Sequence, residues 1–303
     1  MKPISNNLEQ KIRQMQPLIV LGMHRSGTSL VVHLLDDLGI FMGRDLSRDA
    51  ESIFFQKINR RIYHSVGANW GYIVPLIQAM YSPQFVEQKT AHILRELFPE
   101  RHSPYRGVGI SDFFGSQLWE AINQEMPVTW GWKDPRTTIT FPIWLRIFPQ
   151  ARLLHILRNG IDVAISTHRR TERQKRKLWK RIIRLDYAPI THDFEYCFHL
   201  WEDHVTYVFN QKDQIPPDHY LEMRYEDLLA SPQDWIRQVA DFTGYVVSDE
   251  LISSASKQVN RSRLNNANFA ADYLDQIPKL ASSPLMQQLG YHYEMAWPNS
   301  DSI

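Results

Sequence analysis

The chain has 303 residues, 43% hydrophobic and 22% charged, the proportions of an ordinary globular protein. A formal net charge of +1 excludes a polycation built for duplex nucleic acid, so any anion binding has to come from local clusters. The single cysteine, Cys197, cannot form an internal disulfide. The N-terminal stretch MKPISNNLEQKIRQMQ lacks the apolar core of a secretory signal, and no segment reaches the roughly 18 apolar residues of a membrane helix. The expectation is a soluble, cytoplasmic protein with no membrane span.

In chain order, PLIVLG (17–22) is a short continuous apolar run, the pattern of a strand buried on both faces. SLVVHLLDDLGI follows with Leu30, Leu34, Leu35 and Leu38 on one helical face. Residues 41 to 140, rich in aromatics and prolines, read as mainly helical and as the wall of a second substrate's pocket. RLLHILRNG (152–160) is a second buried strand, followed by helical IDVAISTHRR. Cys197, in EYCFHLW, has no electropositive turn around it and reads as a packed apolar residue. HYLEMRYEDLL (219–229) is a third strand, running into helical DWIRQVADFTGY. This alternation predicts an α/β fold, a parallel sheet flanked by helices, with ligands beyond the carboxyl ends of its strands. No linker interrupts it, so one domain is expected over residues 1–303, with its core at about 17–263.

The turn after the first strand, GMHRSGTS (22–29), has the glycine spacing of a nucleotide P-loop, yet Thr28 stands where lysine belongs and Arg25 lies inside the loop. Such a turn offers backbone N–H groups to an anion at the positive end of a helix, and Thr28 and Ser29 add hydroxyl donors. An NTPase needs the lysine and a metal-holding aspartate after a neighbouring strand, but here that strand ends in Arg158. A sulfuryl group carries one ionisable oxygen fewer than a phosphoryl group and needs cations without a metal bridge. Arg25 can neutralise the bridging oxygen as the S–O bond breaks, so the loop suits a 5′-phosphosulfate.

HRSGTS together with LRNGIDVAISTHRR resembles the sulfotransferases that use 3′-phosphoadenosine 5′-phosphosulfate (PAPS), in particular the bacterial and tyrosylprotein-type branch. The resemblance spans about 17–263 and implies the sulfotransferase fold, with a P-loop-type sheet. It implies that Arg158 and Ser166 hold the 3′-phosphate and that Arg170 is a third contact. WGWKDPRTT (130–138) resembles an element whose lysine, here Lys133, stabilises charge near the transferring group; Asp134 orients Lys133 or Arg136, or serves as the acceptor's base. MRYEDLL (223–229) resembles the segment whose tyrosine, here Tyr225, lines the nucleotide site. Arg261, Ser262 and Arg263 fall where relatives fold a loop over the nucleotide. The full expected nucleotide set is His24, Arg25, Ser26, Gly27, Thr28, Ser29, Arg158, Ser166, Arg170 and Tyr225, with His24 also open to a structural role.

Transfer to a hydroxyl requires a base near the acceptor. Asp45, Asp49 and Glu51 stand beyond the loop's helix; Glu51 is preferred because ESIFF resembles a recurring ES-x-FF element, while spacing in the tyrosylprotein branch points nearer Asp45. The catalytic expectation is therefore Arg25, Lys133 and Glu51. No histidine or cysteine cluster supports a metal site. The basic run 169–184, nine basic residues against one acid, reads as a solvated helix face or as a rim attracting an anionic acceptor or PAPS; it lacks the stacking aromatics of a nucleic-acid site. The partners expected are PAPS, its product PAP, and an acceptor that is a carbohydrate, peptide or small molecule. A divergent P-loop kinase or ATPase, and a non-catalytic nucleotide- or glycan-binding module, stay open as alternatives.

Overall fold

Four short segments build the framework: β1 (Leu18–Leu21), β2 (Gly131–Lys133), β3 (Arg152–Leu157) and β4 (Tyr220–Arg224). They form one sheet in a computed structural model that describes residues 10–11, 14–98, 109–124, 126–175, 193–260 and 272–291. The strand order is β2-β1-β3-β4 and every neighbouring pair is parallel. Val20 stands opposite both Lys133 and Leu154, and Leu157 stands opposite Arg224. The strands expected at 17–22 and 152–160 are found at Leu18–Leu21 and Arg152–Leu157; of the stretch 219–229 only Tyr220–Arg224 is strand, and from Tyr225 the chain is already helical.

β2 is the strand that periodicity did not mark. Its three residues are too few to show a pattern, and it opens on Gly131. A Cβ there would lie 2.1 Å from the Leu18 carbonyl oxygen, so only glycine lets the two backbones approach.

Parallel pairing demands long crossovers, which the helices supply. After β1 come α1 (Thr28–Asp37), α2 (Ile53–His64), α3 (Val74–Met80), α4 (Pro83–Leu97) and α5 (Ile110–Asn123). α6 (Thr137–Ile147) joins β2 to β3, and α7 (Gly160–Lys175) and α8 (Phe194–Lys212) join β3 to β4. α9 (Tyr225–Ala230), α10 (Pro232–Thr243) and α11 (Asp249–Ser256) follow β4. Two prolines of the middle region start helices: Pro75 and Pro83 stand in the first turns of α3 and α4, and Ser82 caps α4 by accepting from the Phe85 N–H at 3.4 Å.

Alternation along the strands divides the core. Ile19, Leu21, Leu153 and Leu157 point to one face, with Phe55, Trp132 and Trp144. Leu18, Val20, Leu154 and Ile156 point to the other, against Val31 and Leu35 of α1 and Ile236 and Val239 of α10. On the first face the Phe55 ring stacks on Trp132 at 3.9 Å between centroids, and Trp144 meets Phe55 edge-on. Truncating such a ring costs about 3–5 kcal/mol, so this contact fixes where α2 lies against β2. The Ser52 N–H donates to the Lys133 carbonyl at 2.9 Å, which ties the start of α2 to the end of β2.

Because all four strands run the same way, their carboxyl ends share one side of the sheet. Gly22, Asp134, Arg158 and Tyr225, each the residue after a strand, therefore emerge together.

Candidate active site

The turn after β1 curls as its glycines allow. Gly22 has φ 144° and Gly27 φ 90°. Between them Arg25 adopts φ 75°, a left-handed conformation that costs a residue with a Cβ about 1–2 kcal/mol and is kept where surrounding structure imposes it. Thr138, at the start of α6, fixes the turn from below: its hydroxyl accepts from the Gly22 N–H at 2.9 Å and donates to the Gly22 carbonyl at 3.2 Å. Gly27 is required for a second reason, since a Cβ there would sit 2.1 Å from the Tyr225 ring.

Above this turn lies a cavity of about 340 Å³, and its wall includes His24, Arg25, Gly27, Thr28, Ser29, Glu51, Lys133, Arg158, Ser166, Arg170 and Tyr225. Ser26 is the exception among the expected residues: it is buried, does not line the cavity, and its N–H donates to the Met23 carbonyl at 3.2 Å. Arg261, Ser262 and Arg263, with the basic run beyond residue 175, lie outside the described residues.

One end of the cavity is a row of donors. Arg25 Nε donates to Ser166 Oγ at 2.9 Å, joining residues 141 positions apart. Arg158 Nη1 donates to the Arg25 carbonyl at 3.1 Å, Arg158 Nη2 lies 3.4 Å from Asp162 Oδ2, and its guanidinium lies 4.7 Å over the Tyr225 ring. Arg158 Nε is buried and has no hydrogen-bond partner. Arg170, one turn beyond Ser166 on α7, pairs with Asp49 at 3.0 Å.

The other end is buried. Lys133 is 2% exposed and its Nζ donates to the Asp49 carbonyl at 2.6 Å. That carbonyl also accepts from Ser29 Oγ at 2.5 Å, so the segment before Glu51 is tied to both α1 and β2. Lys133 Nζ lies 3.9 Å from Glu51 Oε1, while Glu51 Oε2 accepts from Gln56 Nε2 at 2.5 Å. Burial outweighs the attraction between this pair: it lowers the pKa of Lys133 and, reinforced by Asp134, raises that of Glu51. His24 Nδ1 stands 3.5 Å from Glu51 Oε1, and its ring meets Trp70 edge-on at 5.4 Å. Burial, helped by Arg136 and Arg170, holds His24 well below the ordinary imidazole range, hence neutral at physiological pH. The structure thus brings His24 to Glu51.

The remaining acids separate by environment. Asp45 pairs with Arg44 at 3.2 Å on the surface, its side chain 63% exposed. Asp134 is fully buried; it accepts from Arg136 Nη1 at 3.2 Å and from Asn59 Nδ2 at 2.8 Å, so of its expected roles it takes that of orienting Arg136. Asn59 also donates to Thr137 and accepts from Thr140 and from the Trp144 indole, locking α2 to the turn that follows Lys133. Sequence reasoning did not single out Gln56, Asn59, Trp70 or Asp162. None of them belongs to a motif: Gln56 and Asp162 meet Glu51 and Arg158 four or five residues away, while Asn59 and Trp70 reach Asp134 and His24 far along the chain.

Chemically the arrangement offers cations and hydroxyls suited to an anion beside a shielded carboxylate. Four cations, Arg25, Lys133, Arg158 and Arg170, face two carboxylates, Asp49 and Glu51, on the cavity wall. No group of three or more metal-ligating side chains occurs among the described residues, and none of their helices is long and apolar enough to cross a membrane. The sequence matches the profile of the Sulfotransferase family over residues 17–249. The chain belongs to the Sulfotransferase family. Solved sulfotransferase structures share its fold. A sulfotransferase domain from the curacin biosynthetic pathway aligns over 93% of this chain and 100% of its own, with a TM-score of 0.54 and 14% identity. The sulfotransferase domain of the Synechococcus PCC 7002 olefin synthase aligns over 92% and 96%, with a TM-score of 0.50 and 17% identity. No protein of curated function matches the sequence.

Proposed function

We propose that this chain is a PAPS-dependent sulfotransferase, a single cytoplasmic domain that moves a sulfuryl group from PAPS to a hydroxyl or amine without a metal ion. The observation that carries this reading is the convergence of two distant motifs: the loop bearing Arg25 and the helix bearing Ser166 meet in a 2.9 Å hydrogen bond on the wall of one cavity. The residues fit the nucleotide. Arg158 Nε is a buried donor without a partner, the kind of group a 3′-phosphate oxygen satisfies. Further support is that Arg158 follows β3, the neighbour of β1, and so stands near the N-terminus of α1, where a 5′-phosphosulfate would be held.

In this mechanism Gly27, Thr28 and Ser29 hold the 5′-phosphosulfate, Ser29 through its backbone N–H because its hydroxyl donates to the Asp49 carbonyl, while Arg158, Ser166 and Arg170 hold the 3′-phosphate. The co-substrate supplies the sulfuryl group, which passes from the phosphate oxygen to the acceptor oxygen. Glu51 takes the acceptor proton: it is shielded from water, and its raised pKa makes it a stronger base than an ordinary glutamate. Lys133 and Arg25 neutralise charge on the oxygens around sulfur, and Tyr225 supports Arg158.

The test is transfer of label from sulfur-labelled PAPS into a panel of carbohydrate, peptide and small phenolic acceptors, with EDTA present. Labelled product that disappears in Arg25→Ala supports the reading. Hydrolysis of ATP that depends on magnesium, with no transfer from PAPS, replaces it with the kinase or ATPase reading.

A further inference from the structure

The turn that carries Arg158 is held from behind by an acid that the proposed mechanism does not use. Glu226 is the second residue of α9, directly after Tyr225. Its Oε1 accepts from the backbone N–H of Asn159, the residue after Arg158, at 2.9 Å. Its Oε2 accepts from the Tyr291 hydroxyl at 3.2 Å. Tyr291 is fixed in turn: the Arg224 guanidinium lies 5.1 Å over its ring and donates to the neighbouring Leu289 carbonyl.

Two strand ends are therefore clamped together by one side chain. Tyr225, beside Glu226, has one ring edge packed against Gly27 of the phosphate loop and lies under the Arg158 guanidinium. A shift of the 158–159 turn relative to α9 would pull Arg158 off that ring, even with every cavity-lining side chain intact. The carboxyl is partly buried, and that burial raises its pKa against the opposing pull of the Asn159 N–H and Arg158. The clamp itself is a pair of acceptor oxygens, one for the Asn159 N–H and one for the Tyr291 hydroxyl.

We infer that Glu226 is a positioning residue for recognition of the 3′-phosphate: by tying the Asn159 N–H to α9 and to Tyr291, it sets the stack of Arg158 on Tyr225. This rests on the proposed PAPS site. It goes beyond it by giving nucleotide selectivity to a residue outside the cavity and to residue 291, far from both motifs.

The experiment is calorimetric binding of PAP and of AMP, which is PAP without its 3′-phosphate, to the full chain and three variants. Glu226→Ala is expected to weaken PAP about tenfold or more, about 1.4 kcal/mol, while AMP changes by less than about twofold. Glu226→Gln keeps an oxygen for the Asn159 N–H and is expected to stay within about threefold of the parent for PAP. Tyr291→Phe removes one bond to the carboxyl and is expected to weaken PAP about two- to threefold. Should Glu226→Ala fail to fold, Glu226→Asp, which withdraws the carboxyl by one methylene, carries the same comparison. Equal weakening of PAP and AMP would mark a merely structural role and overturn the inference, as would unchanged PAP binding or a glutamine variant no better than alanine. A parent protein that binds PAP no tighter than AMP overturns the proposed function, and this inference with it. A selective parent with an unselective Glu226 effect overturns this inference alone.

Discussion

The two ends of the cavity hold charge in different ways. At the Glu51 end the side chains of Lys133 and Glu51 are 1% and 8% exposed. At the Arg170 end the paired side chains of Arg170 and Asp49 are 35% and 39% exposed. A charge shielded from water acts strongly on its neighbours and needs no reorganisation during reaction, which suits the place where bonds change. Arg170, partly exposed, is screened by water and salt, while Arg158 at the same end is buried, its side chain 10% exposed, and lies over the Tyr225 ring. On the proposed function this division makes rate and nucleotide affinity separable, although both depend on the Asp49 segment that touches each end.

The sharpest way to break that separation is Glu51→Gln. If the buried end governs rate alone, turnover falls about 10²–10⁴-fold, the worth of a general base, while PAP affinity moves by less than about threefold. Single-turnover kinetics beside calorimetry measures both; a matching loss of affinity would contradict the separation. The pH profile sharpens the same point. Because burial raises the Glu51 pKa, the acidic limb of kcat/KM for the parent is expected above the ordinary glutamate value of about 4.3, with rate lost as pH falls through it. A limb at or below that value would remove Glu51 as the base.

The open end is tested by Asp49→Asn. Removing a carboxylate beside Arg170 frees that cation for an anion, so PAP is expected to bind about two- to fivefold tighter at low salt, with the gain shrinking as ionic strength rises. A salt-independent loss of affinity would mean that Asp49 builds the site more than it competes within it. The smallest effect concerns stability. A carboxyl whose pKa is raised on folding favours the fold while protonated, and that contribution is lost as pH rises through the folded value. Glu51→Gln is thus expected to raise Tm by about 1–3 °C at neutral pH and to leave it unchanged near pH 4, by calorimetry over that range.

Much of this site was legible because its geometry is local to strand ends. A buried strand, a glycine turn and a helix bring the loop 22–29 to the carboxyl end of the sheet whatever else the chain does, and the eight-residue step from Arg158 to Ser166 lies within one turn-and-helix unit. Lys133 was reached through the K-D-P resemblance although its strand is three residues long and leaves no periodic trace. Glu51 joined Lys133 at one end while Asp45 turned out to the surface, a distinction that depends on the hydrogen bond from Ser52 to Lys133, across 81 positions of sequence. Ser26 shows the converse: the motif contains it, but the turn uses its N–H internally. Asn59 and Glu226 were silent because a hydrogen bond to a side chain or backbone far along the chain has no spacing rule, and Gln56 because a single glutamine five residues from an acid marks no motif.

The account stands on Arg158 meeting a phosphate on the ribose 3′ position. A double-mutant cycle measures that directly: PAP and AMP are titrated against the parent and against Arg158→Ala, with EDTA present throughout. The account predicts a coupling of about 1.5–3 kcal/mol between the guanidinium and the 3′-phosphate, the range of a hydrogen bond to a charged group, so that the variant no longer prefers PAP. A coupling near zero, with both nucleotides weakened alike or neither affected, would contradict it.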